Sequence, residues 1–245
     1  MKILKFLKLL FCIFYSIYFF IISLILHITG IILGVLLILF GLRKFVYFLE
    51  GIWVRFYFLL GGKIIKIKGI ENFNKNENYL IIANHSSFFD IHCLLGVFNG
   101  LSFLAKKELM KNPLWNLAIK FSNSVPIDRE NFLSSMESLN NIIKNSKFKI
   151  NICIFPEGTR TKTGKIGNFK KGFIRILKNT NLNLLPVTLN GFYNFKPKNR
   201  IYFDPLVKLE VIIHKPLKNE ELKIMNENEI LEYSRNIILN DYIIK

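Results

Sequence analysis

The sequence predicts an α/β layered domain that follows an N-terminal membrane-embedded helical hairpin. Two observations predict this fold. Short apolar segments of strand character alternate with helix-compatible segments over most of the chain, and a long uncharged apolar run precedes them. A length of 245 residues accommodates one such domain with its own core and an appendage. We therefore place a membrane anchor at residues 1–62 and the α/β domain at residues 63–245.

The uncharged run extends from Leu9 to Leu42 and contains no Asp, Glu, Lys or Arg. A single helix of that length would reach about 50 Å, beyond a hydrocarbon core of about 30 Å, whereas two full spans need about 40 residues plus a turn. Thr29 and Gly30 offer a break near the middle, and basic residues flank both ends. We therefore expect a hairpin with both ends at the cytoplasm, followed by an interfacial helix at 45–60. The alternative is a buried pair of core helices.

The charge balance is strongly basic, with a formal net charge of +17 at pH 7. This excess predicts anionic partners such as phospholipid surfaces, phosphorylated substrates or acidic carrier proteins. The sequence has neither paired cysteines at zinc-binding spacing nor a recognisable RNA-binding block, so we expect no metal site and no nucleic-acid partner. Cys12, Cys93 and Cys153 lie in apolar runs at unrelated spacings, which favours free thiols in a reducing cytoplasm.

Hydrophobic periodicity gives the order of elements in the α/β domain. Short apolar runs indicate strands, and apolar residues recurring every three or four positions, as at Phe132, Met136, Leu139 and Ile143, indicate helices. In chain order we expect a hinge at 61–62, strands at 63–68 and 79–83, a helix at 86–95, a strand at 101–105, helices at 114–121 and 130–146, a strand at 150–155, a helix at 170–178, a strand at 183–189, a β-rich stretch at 201–214, and a last helix at 220–239 capped by Asn219.

The most informative stretch is Asn84–Asp90, which lies at a predicted strand-to-helix junction. His85 can accept a proton near neutral pH, and Asp90 can fix the tautomer of the imidazole and favour its charged form. The alternative is a solvated histidine and a helix-capping aspartate that never meet. We expect the two side chains to approach to hydrogen-bond distance, with Ser86 and Ser87 as helix caps or backbone-positioning hydroxyls.

Three further blocks accompany this stretch in a fixed order: IDR at 127–129, FPEGTR at 155–160 and LPVT at 185–188. With these four blocks, residues 63 to 190 resemble the glycerolipid acyltransferase family, specifically the bacterial 1-acyl-glycerol-3-phosphate (lysophosphatidic acid) acyltransferases. FPEGTR is the most specific piece of the resemblance. It follows an apolar strand-like run, as Asn84–Asp90 does.

The resemblance implies transfer of a fatty acyl chain from an acyl thioester to the sn-2 hydroxyl of 1-acyl-glycerol-3-phosphate, which forms phosphatidic acid. We expect His85 to be the general base for that hydroxyl and Asp90 its orienting group. The sequence has no G-x-S-x-G elbow, so a serine acyl-enzyme is disfavoured and direct transfer remains. The fold expected with this activity is a single layered domain with a mixed sheet flanked by helices.

The turn at 158–160 suits a phosphate, because Gly158 allows close backbone approach, Thr159 gives a hydroxyl and Arg160 gives a bidentate fork. The resemblance assigns these residues, with Glu157, to the glycerol phosphate. An ion pair between Glu157 and Arg160 is the structural alternative. We expect further cationic contacts from Arg129 and Lys106; for Arg129, a salt bridge to an adjacent acidic residue is the alternative.

The expected partners are membrane phospholipid, lysophosphatidic acid and an acyl donor, with the protein anchored at the cytoplasmic face of the inner membrane. The donor is acyl-CoA or acyl carrier protein, used as a co-substrate, and no cofactor is expected. Asn116, Pro126 and Thr161 depart from the family pattern, which leaves another lysolipid open, such as lysophosphatidylethanolamine or a lyso-ornithine lipid. A non-catalytic protein that binds anionic membranes is the alternative from a different class.

Overall fold

The computed structural model describes residues 2–98, 100–113, 116, 124–128, 135–137, 139–140, 143 and 151–244. Within these ranges the chain forms a seven-stranded sheet with helices packed on both faces. The strands are β1 (Ile65–Lys68), β2 (Tyr79–Ala83), β3 (Leu101–Lys106), β4 (Val125–Ile127), β5 (Asn151–Ile154), β6 (Asn183–Asn190) and β7 (Leu209–Ile213). The α-helices whose two ends lie within the described residues are α1 (Lys2–Leu39), α2 (Arg43–Leu60), α3 (Phe89–Val97), α4 (Gly172–Asn179), α5 (Phe192–Phe195), α6 (Asn219–Ile224) and α7 (Glu227–Asn240).

The sheet is mixed, as the predicted fold class requires. Its strand order is β1-β7-β6-β2-β5-β3-β4, and among the described strand pairs β6 and β7 alone are antiparallel. β2 lies at the centre between β5 and β6, so the segments that follow β2 and β5 leave the same edge of the sheet side by side. The carboxyl edge of parallel strands is where α/β sheets bind ligands.

The side chains of β2 alternate between two apolar clusters, one on each face of the sheet. Tyr79, Ile81 and Ala83 pack with α1, α2 and α3, whereas Leu80 and Ile82 pack with α4, α6 and α7. All five residues are buried. Burial on both faces explains why the strand is apolar throughout rather than alternating, as is usual for a central parallel strand.

The N-terminal hairpin differs from the predicted one. α1 runs unbroken through Thr29 and Gly30 for 38 residues, about 57 Å, and the chain reverses at Gly41, whose φ is 71°. Gly30 does not end the helix; it makes room for the Trp53 ring of α2, whose Nε1 would lie 2.9 Å from a Cβ at that position. The two arms of the hairpin are therefore α1 and α2, and the expected interfacial helix at 45–60 is its second arm.

Among the described residues, α1 is the one helix long and apolar enough to cross a membrane. Cys12, Phe19 and Leu26 are buried at a seven-residue spacing and form one stripe along the helix. The other faces of α1 present large apolar side chains with high exposure, for example Phe14 at 68% and Phe20 at 65%. An exposed apolar surface of this extent is typical of membrane association, in agreement with the predicted anchor.

Two C-terminal elements differ from the predictions. The expected β-rich stretch at 201–214 contains β7 and, before it, a loop. The expected single helix at 220–239 is two helices, because the Asn226 side chain accepts two backbone N–H groups and caps α7 as a new helix. Asn219, predicted as a cap, is instead the first residue of α6.

The predicted helices at 114–121 and 130–146 lie largely outside the described residues. In the second of them, Met136, Leu139 and Ile143 are described and are helical. All three belong to or pack against one apolar cluster, as the amphipathic spacing predicts.

Candidate active site

The segment Asn84–Asp90 connects the end of β2 to the start of α3. The Asn84 amide clamps this end of β2 to β6, because it accepts the N–H of Leu189 at 2.7 Å and donates to the carbonyl of Leu189 at 3.0 Å. The predicted helix start at Ser86 is wrong: α3 begins at Phe89. The intervening residues form a tight loop whose N–H groups turn towards the Asp90 carboxylate.

His85 and Asp90 meet, as predicted. Nδ1 of His85 lies 2.9 Å from Oδ2 of Asp90, and the same oxygen accepts the N–H groups of Ser86 at 2.6 Å and Ser87 at 2.8 Å. The Asp90 side chain is fully buried, whereas that of His85 is 14% exposed. Since a carboxylate oxygen can only accept, Nδ1 carries the proton and Nε2 is left as the basic nitrogen.

An aromatic ring packs against the face of the His85 imidazole. The imidazole stacks on Phe155 with ring centroids 3.9 Å apart and an interplanar angle of 12°. Phe155 directly follows β5, next to β2 in the sheet. Parallel stacking fixes the plane of the imidazole while leaving its edge, and therefore Nε2, free to meet a substrate.

The Glu157 side chain connects the FPEGTR turn to the Asn84–Asp90 segment, because its carboxylate accepts backbone N–H groups. Its Oε1 accepts the N–H of His85 and its Oε2 accepts the N–H of Gly167, both at 2.7 Å. Burial raises the pKa of this carboxyl, and the two N–H donors oppose the increase. Among the described residues Glu157 forms no ion pair with Arg160, so the structural alternative of such a pair does not hold. Glu157 thus fixes the loops that carry His85 and Arg160.

The predicted phosphate turn follows Glu157 at the surface. Gly158 has a φ of 72°, and a Cβ there would lie 3.1 Å from Nζ of Lys170, so both conformation and space favour glycine. Thr159 is exposed and Arg160 is half-buried. In the part of the chain that the structure describes, Arg160 has neither a hydrogen-bond acceptor nor an ion-pair partner, so its guanidinium is available to a ligand.

Arg160 lines an open cavity of about 360 Å³ between the N-terminal helices α1 and α2 and the α/β domain. Its wall is mostly apolar, with Arg160 and Lys196 as its cationic groups. Phe88 and Phe89, immediately before and at the start of α3, connect this cavity to the segment that carries His85. The full lining consists of Phe20, Ser23, Leu24, His27, Tyr57, Phe88, Phe89, Arg160, Lys196, Pro197 and Phe203.

Two predicted cationic contacts cannot be placed. Arg129 lies outside the described residues, and Lys106 ends β3 with a side chain that also lies outside them. Asp128, one of the expected partners of Arg129, accepts a hydrogen bond from Nζ of Lys107 at 3.1 Å. Pro126, a departure from the family pattern, lies within β4, the last strand in the order of the described sheet, and edge strands are where proline occurs.

The cysteines are free and buried. Burial raises the pKa of the Cys93 and Cys153 thiols, which disfavours the nucleophilic thiolate. The hydroxyl of Ser87 donates to the Lys196 carbonyl at 2.8 Å and so holds the backbone, one of the two roles expected for it. Cys93, Cys153 and Ser87 therefore lack the surroundings of an activated nucleophile.

Several residues of the site were not assigned roles from the sequence. Phe155 lies inside the FPEGTR block, where its position next to His85 follows from the pairing of β2 with β5. Asn84 likewise belongs to a block already singled out. Gly167 and Lys196 lack such a signal, since both lie outside the four blocks and reach the site through tertiary contacts.

Comparison with known proteins agrees with this geometry. A family model described as acyltransferase matches residues 64–190, a stretch that contains both Asn84–Asp90 and the Phe155–Arg160 turn. The chain belongs to the acyltransferase family. Its fold is similar to the crystal structure of PlsC, the 1-acyl-sn-glycerophosphate acyltransferase of Thermotoga maritima. The TM-score is 0.77 at 28% identity, over 94% of this chain and 95% of that chain.

Curated relatives include proteins of bacteria and plants. The 1-acyl-sn-glycerol-3-phosphate acyltransferase of Borreliella burgdorferi is 31% identical over 188 residues, which cover 76% of this chain and 72% of the relative. A chloroplast 1-acyl-sn-glycerol-3-phosphate acyltransferase of Arabidopsis thaliana is 29% identical over 184 residues, 75% of this chain and 51% of the relative. The chain thus spans about half the length of that plant relative.

Proposed function

We propose that this protein transfers a fatty acyl chain from an acyl thioester to the sn-2 hydroxyl of 1-acyl-glycerol-3-phosphate, forming phosphatidic acid. The observation that carries the proposal is the 2.9 Å contact between His85 Nδ1 and Asp90 Oδ2, which leaves Nε2 as a free base. The named activities of the relatives in Thermotoga and Borreliella support the same reaction.

The chemical step follows from the tautomer of His85. Nε2 takes the proton of the acceptor hydroxyl as the oxygen attacks the thioester carbonyl, and buried Asp90 stabilises the imidazolium that forms. The tetrahedral intermediate then collapses and expels the donor thiolate, which takes the proton from His85 Nε2. The acyl group moves directly between the two substrates, and the enzyme is unchanged at the end.

Arg160 is the group we assign to the acceptor phosphate. Its guanidinium is unpartnered within the described chain and lines an otherwise largely apolar cavity, a combination that suits an amphipathic lipid. A guanidinium can donate two parallel hydrogen bonds to phosphate oxygens. Gly158 and Thr159 precede it in the same exposed turn, and Lys106 and Arg129 stay assigned to phosphate contacts as predicted.

The setting of the reaction is also part of the proposal. The anchor helix α1 contributes Phe20, Leu24 and His27 to the cavity, so a lysolipid held in the membrane can reach the site without leaving the bilayer surface. We place the α/β domain at the cytoplasmic face of the inner membrane. The donor is acyl-CoA or acyl carrier protein, acting as co-substrate, and no cofactor is required for the proton transfer and displacement described.

The proposal is tested by offering the purified full-length protein, in detergent micelles, a panel of lysolipids with each donor and identifying products by mass spectrometry. Phosphatidic acid formed from lysophosphatidic acid is the expected product. A clear preference for lysophosphatidylethanolamine or a lyso-ornithine lipid would replace the acceptor. Absence of acyl transfer to every lysolipid with both donors would contradict the proposed function.

A further inference from the structure

Lys196 lies on the same cavity as Arg160 but outside every sequence block assigned to the site. It directly follows α5, and its carbonyl accepts the hydroxyl of Ser87 at 2.8 Å. Ser87 in turn donates its backbone N–H to Asp90. Two hydrogen bonds therefore connect the backbone of Lys196 to the carboxylate that orients His85, so Lys196 is held at the site.

The ammonium of Lys196 is only partly used within the protein. Nζ donates to the carbonyl of Arg200 and, at 3.3 Å, to that of Pro197. An ammonium has three N–H groups, so one remains for a ligand. In the described part of the chain no carboxylate lies within ion-pair distance of Lys196 or Arg160. The positive charges of these two side chains at the cavity are therefore not neutralised by an acidic residue.

A third cation, Arg200, adds to the positive potential around Lys196. Three of the five N–H groups of the Arg200 guanidinium donate to carbonyls, those of Asn194 at 2.5 Å, Phe195 at 2.7 Å and Tyr202 at 2.9 Å. Burial lowers the pKa of Lys196, and the charges of Arg200 and Arg160 lower it further. An uncompensated group of cations is costly by itself and becomes favourable when an anion binds.

We propose that Lys196 is a second phosphate-binding residue that, together with Arg160, makes the site selective for a lysolipid with a phosphate monoester. This inference rests on the proposed function. A phosphate monoester carries between one and two negative charges at pH 7, because its second pKa is about 6, whereas the phosphodiester of other lysophospholipids carries one. Two cations match the monoester, and removing one of them should affect the monoester most.

The test uses purified full-length protein in micelles of a neutral detergent, with lysophosphatidic acid and lysophosphatidylglycerol as the monoester and diester probes. Equilibrium binding of each probe is measured without donor, and kcat and KM are measured with donor. The variants are Lys196→Gln and Lys196→Arg. Lys198→Gln is the matched control, since Lys198 is an exposed lysine of the same loop.

We expect Lys196→Gln to weaken binding of lysophosphatidic acid and raise its KM by about tenfold or more, with a smaller change in kcat. Binding of lysophosphatidylglycerol should change much less, so the selectivity between the two probes falls. Lys196→Arg should retain most of the selectivity, and Lys198→Gln all of it.

Unchanged binding of lysophosphatidic acid in folded Lys196→Gln would overturn the inference. An equal loss for both probes would overturn it too, since that result indicates a structural role for the ammonium. The binding measurement separates this inference from the reaction: wild-type protein that transfers no acyl chain contradicts the proposed function, whereas the effect of Lys196→Gln on binding is decided without turnover.

Discussion

Oδ2 of Asp90 accepts three hydrogen bonds at once, from Nδ1 of His85 at 2.9 Å and from the N–H groups of Ser86 and Ser87 at 2.6 and 2.8 Å. The carboxylate is completely buried. The two backbone bonds hold the loop between β2 and α3 against the same atom that orients the imidazole. Asp90 therefore sets both the fold of this loop and the tautomer of His85.

Replacing Asp90 by Asn should separate these two roles. The amide oxygen of Asn can occupy the position of Oδ2 and keep the three donors, so we expect the variant to fold. The negative charge that stabilises the imidazolium is lost, and kcat should fall about 10²- to 10⁴-fold. Steady-state kinetics of acyl transfer provides the measurement. Asp241→Asn, which alters the other described His–Asp pair at His214, is the control and should leave kcat unchanged.

Glu157→Gln should weaken the link between the two motif segments. The carboxylate accepts one N–H with each oxygen, whereas a glutamine amide has one acceptor and presents its NH₂ to the other N–H donor. We expect a loss of about 1–3 kcal/mol of unfolding free energy and a lower kcat as His85 shifts. Chemical denaturation in micelles, with the exposed Glu232→Gln as control, measures the stability. An unchanged denaturation midpoint would show that the two bonds are dispensable.

Arg160→Ala should mainly raise the KM for lysophosphatidic acid. A hydrogen bond to a charged group contributes about 1.5–3 kcal/mol, which corresponds to a roughly 10- to 150-fold increase. Arg160→Lys should recover part of the loss, because an ammonium cannot form two parallel bonds. Lys162→Ala removes an exposed charge two residues away and serves as control. If the KM is the same in folded Arg160→Ala, Arg160 does not bind the phosphate.

Phe19→Ala should destabilise the protein although Phe19 belongs to the largely exposed N-terminal helix α1. Its ring is 1% exposed and contacts Tyr57, Phe89, Phe195 and Phe203 at centroid distances of 4.9–5.8 Å. Removing a buried phenylalanine ring costs about 3–5 kcal/mol. Phe14→Ala, in which a largely exposed ring of the same helix is removed, should cost much less. Thermal unfolding in micelles compares the two variants, and equal melting temperatures would contradict the packing described.

The sequence predicted the contact between His85 and Asp90 because its determinants are local. The apolar segment at 79–83 is β2 residue for residue. The short loop that follows brings Asp90 back to His85, five residues before it in the chain. The FPEGTR turn also follows its strand as expected. It lies beside the His85 loop because β2 and β5 are parallel neighbours and the two segments leave them at the same edge of the sheet. Motif and local pattern suffice where contacts are close in the chain.

The predictions that failed depend on distant contacts or on a missed local signal. Gly30 is not the predicted break, since it lies inside α1 and its missing side chain leaves space for the Trp53 ring of α2; no local pattern reveals that contact. The division of the last helix was readable, since Asn226 and Glu229 have the spacing of a capping box. Lys196 reaches the cavity through the loop after α5, and nothing in its sequence neighbourhood indicates this position.

The rate of phosphatidic acid formation by His85→Ala tests the central claim most directly. Purified wild-type and variant proteins, both shown to be folded in micelles, are given lysophosphatidic acid and an acyl thioester, and the product is quantified by mass spectrometry. In the proposed mechanism Nε2 of His85 is the base of a direct transfer, so we predict that kcat falls at least about 100-fold, with binding of lysophosphatidic acid retained. Turnover by His85→Ala at a rate close to that of the wild type would contradict the account.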